Sequence, residues 1–113
     1  MYSVNRSIAL IIPKQPFVDW ANQLPGPDFK VSLEVLQKEC LAVLIPDYDT
    51  EDEAKAYVND LYEEIFEEEL FGWCTEEARW PKERTPDLFW RWFDVNFHSR
   101  VIDPYEDPIE KEK

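Results

Sequence analysis

The fold of this chain is decided by residues 41–72, which read LAVLIPDYDTEDEAKAYVNDLYEEIFEEELFG. The segment begins with an uninterrupted apolar run at 41–45 that a proline closes, a pattern typical of a buried strand. It continues into a predicted helix over 51–71, because Thr50 and Glu53 have the spacing of a capping box and Gly72 stands where a left-handed cap would end the helix. A strand that leads into one long helix predicts an α+β domain.

The predicted helix has an apolar side and an acidic side. With about 100° between successive residues, the stripe that should face the sheet consists of Ala54, Val58, Leu61 and Ile65. Six acids fall within about 120° on the opposite side, namely Asp52, Glu53, Asp60, Glu63, Glu64 and Glu67. Glu68 and Glu69 would point back towards the apolar stripe, so we expect the helix to leave the sheet near Phe66.

Most of the negative charge lies in this same segment. The 113 residues contain 12 Lys and Arg and 25 Asp and Glu, which gives a net charge of −13 at pH 7. Residues 47–69 hold eleven of the acids and one base, whereas residues 1–46 hold four of each. This excess argues against direct binding to nucleic acid or to an anionic membrane. The longest apolar run, at 8–12, is far shorter than the roughly 20 residues that cross a bilayer.

Two further strands are predicted. Residues 7–12 repeat the apolar pattern of 41–45, and the alternation at 96–103 indicates a third strand that is less deeply buried. We therefore expect an α+β fold with a small mixed sheet of about three strands and with helices packed mainly on one face.

Shorter helices are expected around the long one, at 15–22, at 32–39 and from 85 to about 95. The first two would be separated by a turn at Pro25-Gly26-Pro27. We expect a single α+β domain over residues 1–103 and a loose, charged C-terminal tail over 104–113.

The sequence carries no signature of export. No long apolar stretch with a small-residue cleavage site precedes Pro13, as a signal peptide would require. Cys40 and Cys74 are far apart and belong to no repeated spacing, so we interpret them as reduced, mostly buried thiols rather than as a disulfide or as metal ligands. These features predict a cytoplasmic protein.

The acids before the long helix invite comparison with a calcium loop. Counting from Asp47, however, the sixth residue is Asp52 rather than glycine and the twelfth is Val58 rather than a bidentate glutamate, so the loop lacks two defining positions. Acids in the first turn of a helix are explained by its positive end. We predict no metal site and no other cofactor.

The chemistry-bearing residues of the C-terminal part lie between 80 and 100. His98 is the one histidine of the chain, and no nucleophile turn accompanies it, so we predict no catalytic residue. Aromatic and cationic residues alternate here, which suggests a pocket or an aromatic patch formed by Trp80, Arg84, Trp92, Asp94 and His98. At helical spacing, aromatic residues are more often core, and the basic residues could also lie against the acidic helix.

Several short motifs resemble those of one group of proteins. They are PKQPFVDW at 13–20, LIPD at 44–47, WP at 80–81, RT at 84–85, WFD at 92–94 and FHS at 97–99. In combination the chain resembles a group of small acidic bacterial proteins that are conserved and have no assigned activity. The resemblance implies a bacterial cytosolic protein, and it supplies no reaction, ligand or catalytic residue.

Three functions are compatible with these features. The first, which we expect, is a non-enzymatic interaction or regulatory module whose acidic helix 51–71 binds a basic protein. A special case is mimicry of nucleic acid, because carboxylates about 5–6 Å apart along a helix approach a row of phosphates. The second is an enzyme or small-ligand binder with a pocket in the segment 80–100, and the third is a homo-oligomer in which an apolar strand edge pairs with another copy.

Overall fold

The computed structural model describes residues 1–26 and 30–113, so the Pro27 end of the predicted turn lies outside the described residues. The strands are β1 (Tyr2–Ser3), β2 (Arg6–Pro13), β3 (Leu41–Pro46), β4 (Phe93–His98) and β5 (Ile102–Asp103). The helices are α1 (Gln15–Asn22), α2 (Leu33–Gln37), α3 (Glu51–Asp60), α4 (Tyr62–Phe71) and α5 (Pro86–Trp92), with a 3₁₀ turn at Glu77–Arg79. The predicted α+β class is confirmed.

The main sheet has three strands in the order β3-β2-β4, as predicted in number. Both pairings are antiparallel, with Leu41 opposite Ile11 and Phe93 opposite Pro13, so the expectation of a mixed sheet is wrong. The physical reason lies in the connection through α1 and α2. It brings the chain back to the edge of the sheet where β2 ends, so β3 starts there and runs antiparallel to β2. β1 and β5 form a separate antiparallel pair.

Helices cover one face of this sheet, as the sequence predicts. Along β2, Ser7, Ala9 and Ile11 are fully buried, whereas Ile8 and Leu10 alternate with them and are half-buried. Strand alternation places the two sets on opposite faces. α2 packs on β2, and α3 packs on β3. The helix layer therefore lies on the side of Ser7, Ala9 and Ile11.

Aromatic rings fill the space between the helices and the sheet. Phe93, the first residue of β4, lies 5.1 Å from Phe17, 5.6 Å from Phe66 and 5.3 Å from Phe89, measured between ring centroids. All four side chains are fully buried. The sequence prediction that aromatic residues at helical spacing are mainly core agrees with this cluster.

The long helix predicted over 51–71 is interrupted at Leu61. Leu61 has φ −107° and ψ 5°, and its amide donates to Val58 O at 3.0 Å, one residue closer than in an α-helix. A straight helix would turn Leu70 away from the apolar stripe. The break allows Phe66 and Leu70 to be fully buried, a gain of about 1.5–3 kcal/mol each, against about 1 kcal/mol for a disturbed hydrogen bond.

α4 packs on α5 and, through Phe66, on Phe93 at the start of β4. The expectation that the helix leaves the sheet near Phe66 is wrong, because Phe66 and Leu70 belong to the same buried cluster as Ala9, Ile11 and Ile45 of the sheet. Gly72 is not a left-handed cap, since it has φ −60° and ψ −22°. The amides of Trp73 and Cys74 instead donate to Leu70 O at 3.0 and 2.9 Å, which satisfies a carbonyl at the helix end.

The helix that begins after Thr85 ends at Trp92, and β4 starts at once with Phe93. The sequence analysis placed both boundaries too late, because Phe93 and Val95 fit a helical face as well as a strand face. Pairing with β2 decides between them, since β4 supplies the second neighbour that a central strand needs for its backbone hydrogen bonds.

The domain boundary at residue 103 stays a prediction. Residues 104–113 form no helix or strand, although Tyr2 Oη donates to Glu106 Oε1 at 3.2 Å. Among the described residues, no helix combines the length and the apolar character needed to span a membrane.

Candidate interaction surface

The acidic surface lies on the outer sides of α3 and α4. We call it the acidic face and define it as Asp52, Glu53, Asp60, Glu63, Glu64 and Glu67. Five of these side chains are exposed, and Glu53 is half-buried. The interruption at Leu61 divides the face into an α3 part and an α4 part, so it is not the continuous single-helix row that the sequence analysis expected.

Two acids of the α3 part, Asp52 and Glu53, lie in the first turn of that helix. The Thr50 hydroxyl accepts a hydrogen bond from the Glu53 amide at 3.2 Å, the cap that the sequence predicts. The Glu53 carboxylate accepts a hydrogen bond from Tyr57 Oη at 3.4 Å. With Asp52 in the same first turn, these acids interact favourably with the positive end of the α3 dipole.

Glu67, in the α4 part of the acidic face, lies beside Arg84 of the predicted pocket or aromatic patch. Arg84 Nη2 lies 3.7 Å from Glu67 Oε1, at a site where the arginine is mostly buried and the glutamate is half-exposed. The Arg84 guanidinium also lies 5.6 Å from the centre of the Trp80 ring and donates to Pro81 O at 2.9 Å. Arg84 is thus held between an aromatic ring and the acidic face, so one basic residue does lie against the acidic helix.

The five residues of the predicted pocket or aromatic patch are divided among three places. Trp80 is buried, with Nε1 donating to Cys74 O at 2.8 Å, and only Arg84 adjoins it from this set. Trp92 lies half-buried in the aromatic core, 5.5 Å from Phe66. Neighbouring aromatic rings, those of Phe17, Trp20 and Phe66, pack around it.

Asp94 and His98 lie on the other face of the sheet. In the pairing with β2 they stand opposite Ile12 and Ile8, on the side away from the helices. Asp94 is exposed and forms an ion pair with Lys14 at 3.2 Å. His98 is exposed at the end of β4, about 13 Å along the strand from Asp94. The structure therefore brings together Trp80 and Arg84 but separates them from these two residues.

Sequence reasoning missed a carboxyl group at the end of α4. Glu69 is half-buried, and desolvation together with the neighbouring Glu68 charge raises its pKa to about 7. Glu69 and Cys40 line the same shallow groove. Burial raises the pKa of the Cys40 thiol, and the negative charges of Glu69 and Glu39 raise it further. The signal in the sequence was that Glu69 lies out of phase with the acidic face.

Neither cysteine forms a disulfide, and both are half-buried. Residues 1–26 and 30–113 contain no group of three or more His, Cys, Asp or Glu arranged to hold a metal ion. Comparison of the chain with protein-family models, with curated proteins and with solved structures finds no match.

Proposed function

We propose that the protein is a non-enzymatic interaction module that binds a basic protein through the acidic face. The observation that carries this proposal is that the face is charged and almost uncompensated. In the described part of the chain, only Glu67 of its six acids has a cationic side chain within 4.0 Å. A partner with a complementary basic surface would supply the missing countercharge.

Part of the acidity has a purely structural explanation. Asp52 and Glu53 lie in the first turn of α3, and Glu63 and Glu64 lie in the first turn of α4. The positive end of the α3 dipole stabilises Asp52 and Glu53, typically by about 0.3–1 kcal/mol, whereas the negative end of α3 at Leu61 offsets part of this effect for Glu63 and Glu64. These four acids alone would not require a partner.

The acids in the second half of α4 lack that explanation. Glu67 and Glu68 are exposed near the negative end of the helix, whose last turn contains no basic residue. Arg84, 3.7 Å from Glu67, offsets one of these two charges. Carboxylates there oppose the dipole and repel Glu63 and Glu64 one turn earlier, at a cost of about 0.2–0.5 kcal/mol for each like-charged pair. A basic partner would relieve this repulsion, so we place the centre of the contact on the α4 part.

We infer that the module works in the cytoplasm of a bacterial cell. The free, half-buried thiols of Cys40 and Cys74 support a reducing compartment, and the resemblance to small acidic bacterial proteins supports the source. The acidic face would increase the association rate more than the affinity, so binding should weaken as salt screens the charges.

Capture from a cell extract tests the proposal with two matched variants. The face variant carries Glu63→Lys, Glu64→Lys and Glu67→Lys. The tail variant carries Asp107→Lys, Glu110→Lys and Glu112→Lys at exposed positions, so its net charge is the same. We expect a basic protein that the wild type and the tail variant capture at low salt and that the face variant does not. Identical captured sets for all three proteins would refute the proposal.

The same experiment distinguishes nucleic-acid mimicry. A mimic would capture a DNA- or RNA-binding protein, and duplex DNA added to the extract would displace it. A partner that DNA does not displace indicates recognition of the acidic face as a protein surface.

A further inference from the structure

The side of the sheet away from the helices carries a second surface. We call it the open face and define it as Ile8, Leu10, Ile12, Ala42 and Leu44, which point outward from β2 and β3. The three β2 residues are half-buried, and Leu44 is 49% exposed. In the described residues they lie outside the buried cluster that contains Ala9 and Ile11.

The open face continues into an apolar groove. The groove has a volume of about 650 Å³, and Leu44 forms part of its wall together with Ile102, Tyr105 and Ile109. These four are among the large apolar side chains that are most exposed in the described chain, at 49%, 55%, 75% and 65%. Contiguous exposed apolar surface of this kind typically marks a contact with another macromolecule.

The charge on the open face differs from that of the rest of the molecule. β2 and β3 contain no acid, and Arg6 is their single charged residue. At the far end, Lys14 lies 3.2 Å from Asp94 and neutralises it. In a protein of net charge −13, β2 and β3 thus present a surface without acids, whereas the segment 103–113 beside the groove holds five acids and two lysines.

We propose that a second copy of this chain packs against the open face, sheet to sheet. The result is a symmetric arrangement of four layers, helices, sheet, sheet and helices. Stacked sheets are about 10 Å apart and each helix layer adds about 10 Å, so the two acidic layers lie about 30 Å apart. That distance exceeds the Debye length of about 8 Å at physiological salt several-fold, whereas an approach through the helices would bring the acids together.

Electrostatics also decides against the other occupants. A basic protein would be drawn to the acidic face rather than to this one, whose strands β2 and β3 contain Arg6 and no acid. A small apolar ligand would fill the groove but would leave Ile8, Leu10 and Ile12 in water. A second copy covers both at once, because Leu44 belongs to the open face and to the groove.

The size of the surface predicts a weak dimer. Six paired residues on each of three strands span about 20 Å by 14 Å, less than the roughly 800 Å² per partner of a standard interface. The β4 side of this area is the exposed polar row of Asp94, Asn96 and His98. The groove extends this area towards that value. We therefore expect association that depends on protein concentration.

Sedimentation velocity over about a hundredfold range of concentration tests the proposal. Leu44→Glu should weaken dimerisation by about tenfold or more, because the new carboxylate is buried without a partner. The control is Val35→Glu on α2, which adds the same charge at a residue that is 56% exposed and outside the surface, and it should dimerise like the wild type. Leu10→Gln, which adds no charge, should also weaken the dimer.

Salt provides a second readout. Dimerisation should strengthen or stay constant from low to high salt, because the copies carry like charges, whereas binding at the acidic face should weaken. A protein that stays monomeric at all concentrations would overturn the proposal, as would a dimer that Leu44→Glu leaves intact. Binding of an apolar dye to a strictly monomeric protein would identify a different occupant and would also overturn it.

Discussion

Phe66 joins the two halves of the aromatic core. Its ring centroid lies 6.0 Å from that of Phe89, 5.5 Å from that of Trp92 and 5.6 Å from that of Phe93. Phe66→Ala should therefore lower the free energy of unfolding by about 3–5 kcal/mol, measured by urea denaturation. Phe71 is the matched control, since it lies on the same helix and is 57% exposed. An equal loss for Phe71→Ala would contradict this packing.

Glu69 makes stability depend on pH. Its pKa is raised from 4.5 in water to about 7 in the folded protein, so the folded state binds more protons than the unfolded state between these values. Stability must then fall as the pH rises through that window, and the loss is complete above about pH 7. The sign is the reverse of that for a carboxylate held in an ion pair.

Glu69→Gln removes this titration while keeping the shape of the side chain. At pH 8 the variant should be more stable than the wild type by about 1–2 kcal/mol, less than the full shift implies because the carboxyl group retains some contact with water. At pH 4 the two proteins should be equally stable. Urea denaturation at both pH values measures the difference, and a variant less stable at pH 8 would show that Glu69 is not desolvated.

Among the elements, α3 depends on its N-terminal cap. Thr50 Oγ1 accepts a hydrogen bond from the Glu53 amide, and Thr50→Ala leaves that amide without its partner. The variant should lose about 1 kcal/mol of stability, again measured by urea denaturation. Thr75→Ala, at an exposed position in the loop before the 3₁₀ turn, should change stability by less than about 0.5 kcal/mol. Similar losses of stability for the two variants would show that the Thr50 hydroxyl does not stabilise α3 as a cap.

Most elements could be predicted from local patterns, because β2, β3 and α1 each carry a complete signal. β2 and β3 are continuous apolar runs, and α1 has a proline in its first turn. The break at Leu61 could not be predicted, since nothing local marks it. It follows from the packing of α4 on α5, which is a contact between segments distant in sequence.

The candidate sites also contain some features that local sequence predicts and others that depend on packing. The acidic face could be predicted because charge periodicity on a helix is local, although its division at Leu61 could not. The proximity of Arg84 to Glu67, the burial of Glu69 and the separation of Asp94 and His98 from Trp80 depend on how elements pack. The direction of β3 likewise needed the path of the chain through α1 and α2.

For the whole molecule, the two surfaces have opposite character. The exposed acids of the acidic face lie on the helix side, and β2 and β3 of the open face contain no acid. Such a distribution allows two contacts at once, one with a basic partner and one with a second copy. Binding at the acidic face should weaken with salt whereas dimerisation should not, so each can be measured in the presence of the other.

The central claim is that the acidic face, rather than net charge, selects the partner. It is tested most directly by isothermal titration of the captured basic protein with the wild type, the face variant and the tail variant at low salt. We expect the face variant to lose about tenfold or more in affinity, or about 1.4 kcal/mol, while the tail variant changes by less than about twofold. Equal losses for the two variants, which carry the same net charge, would contradict it.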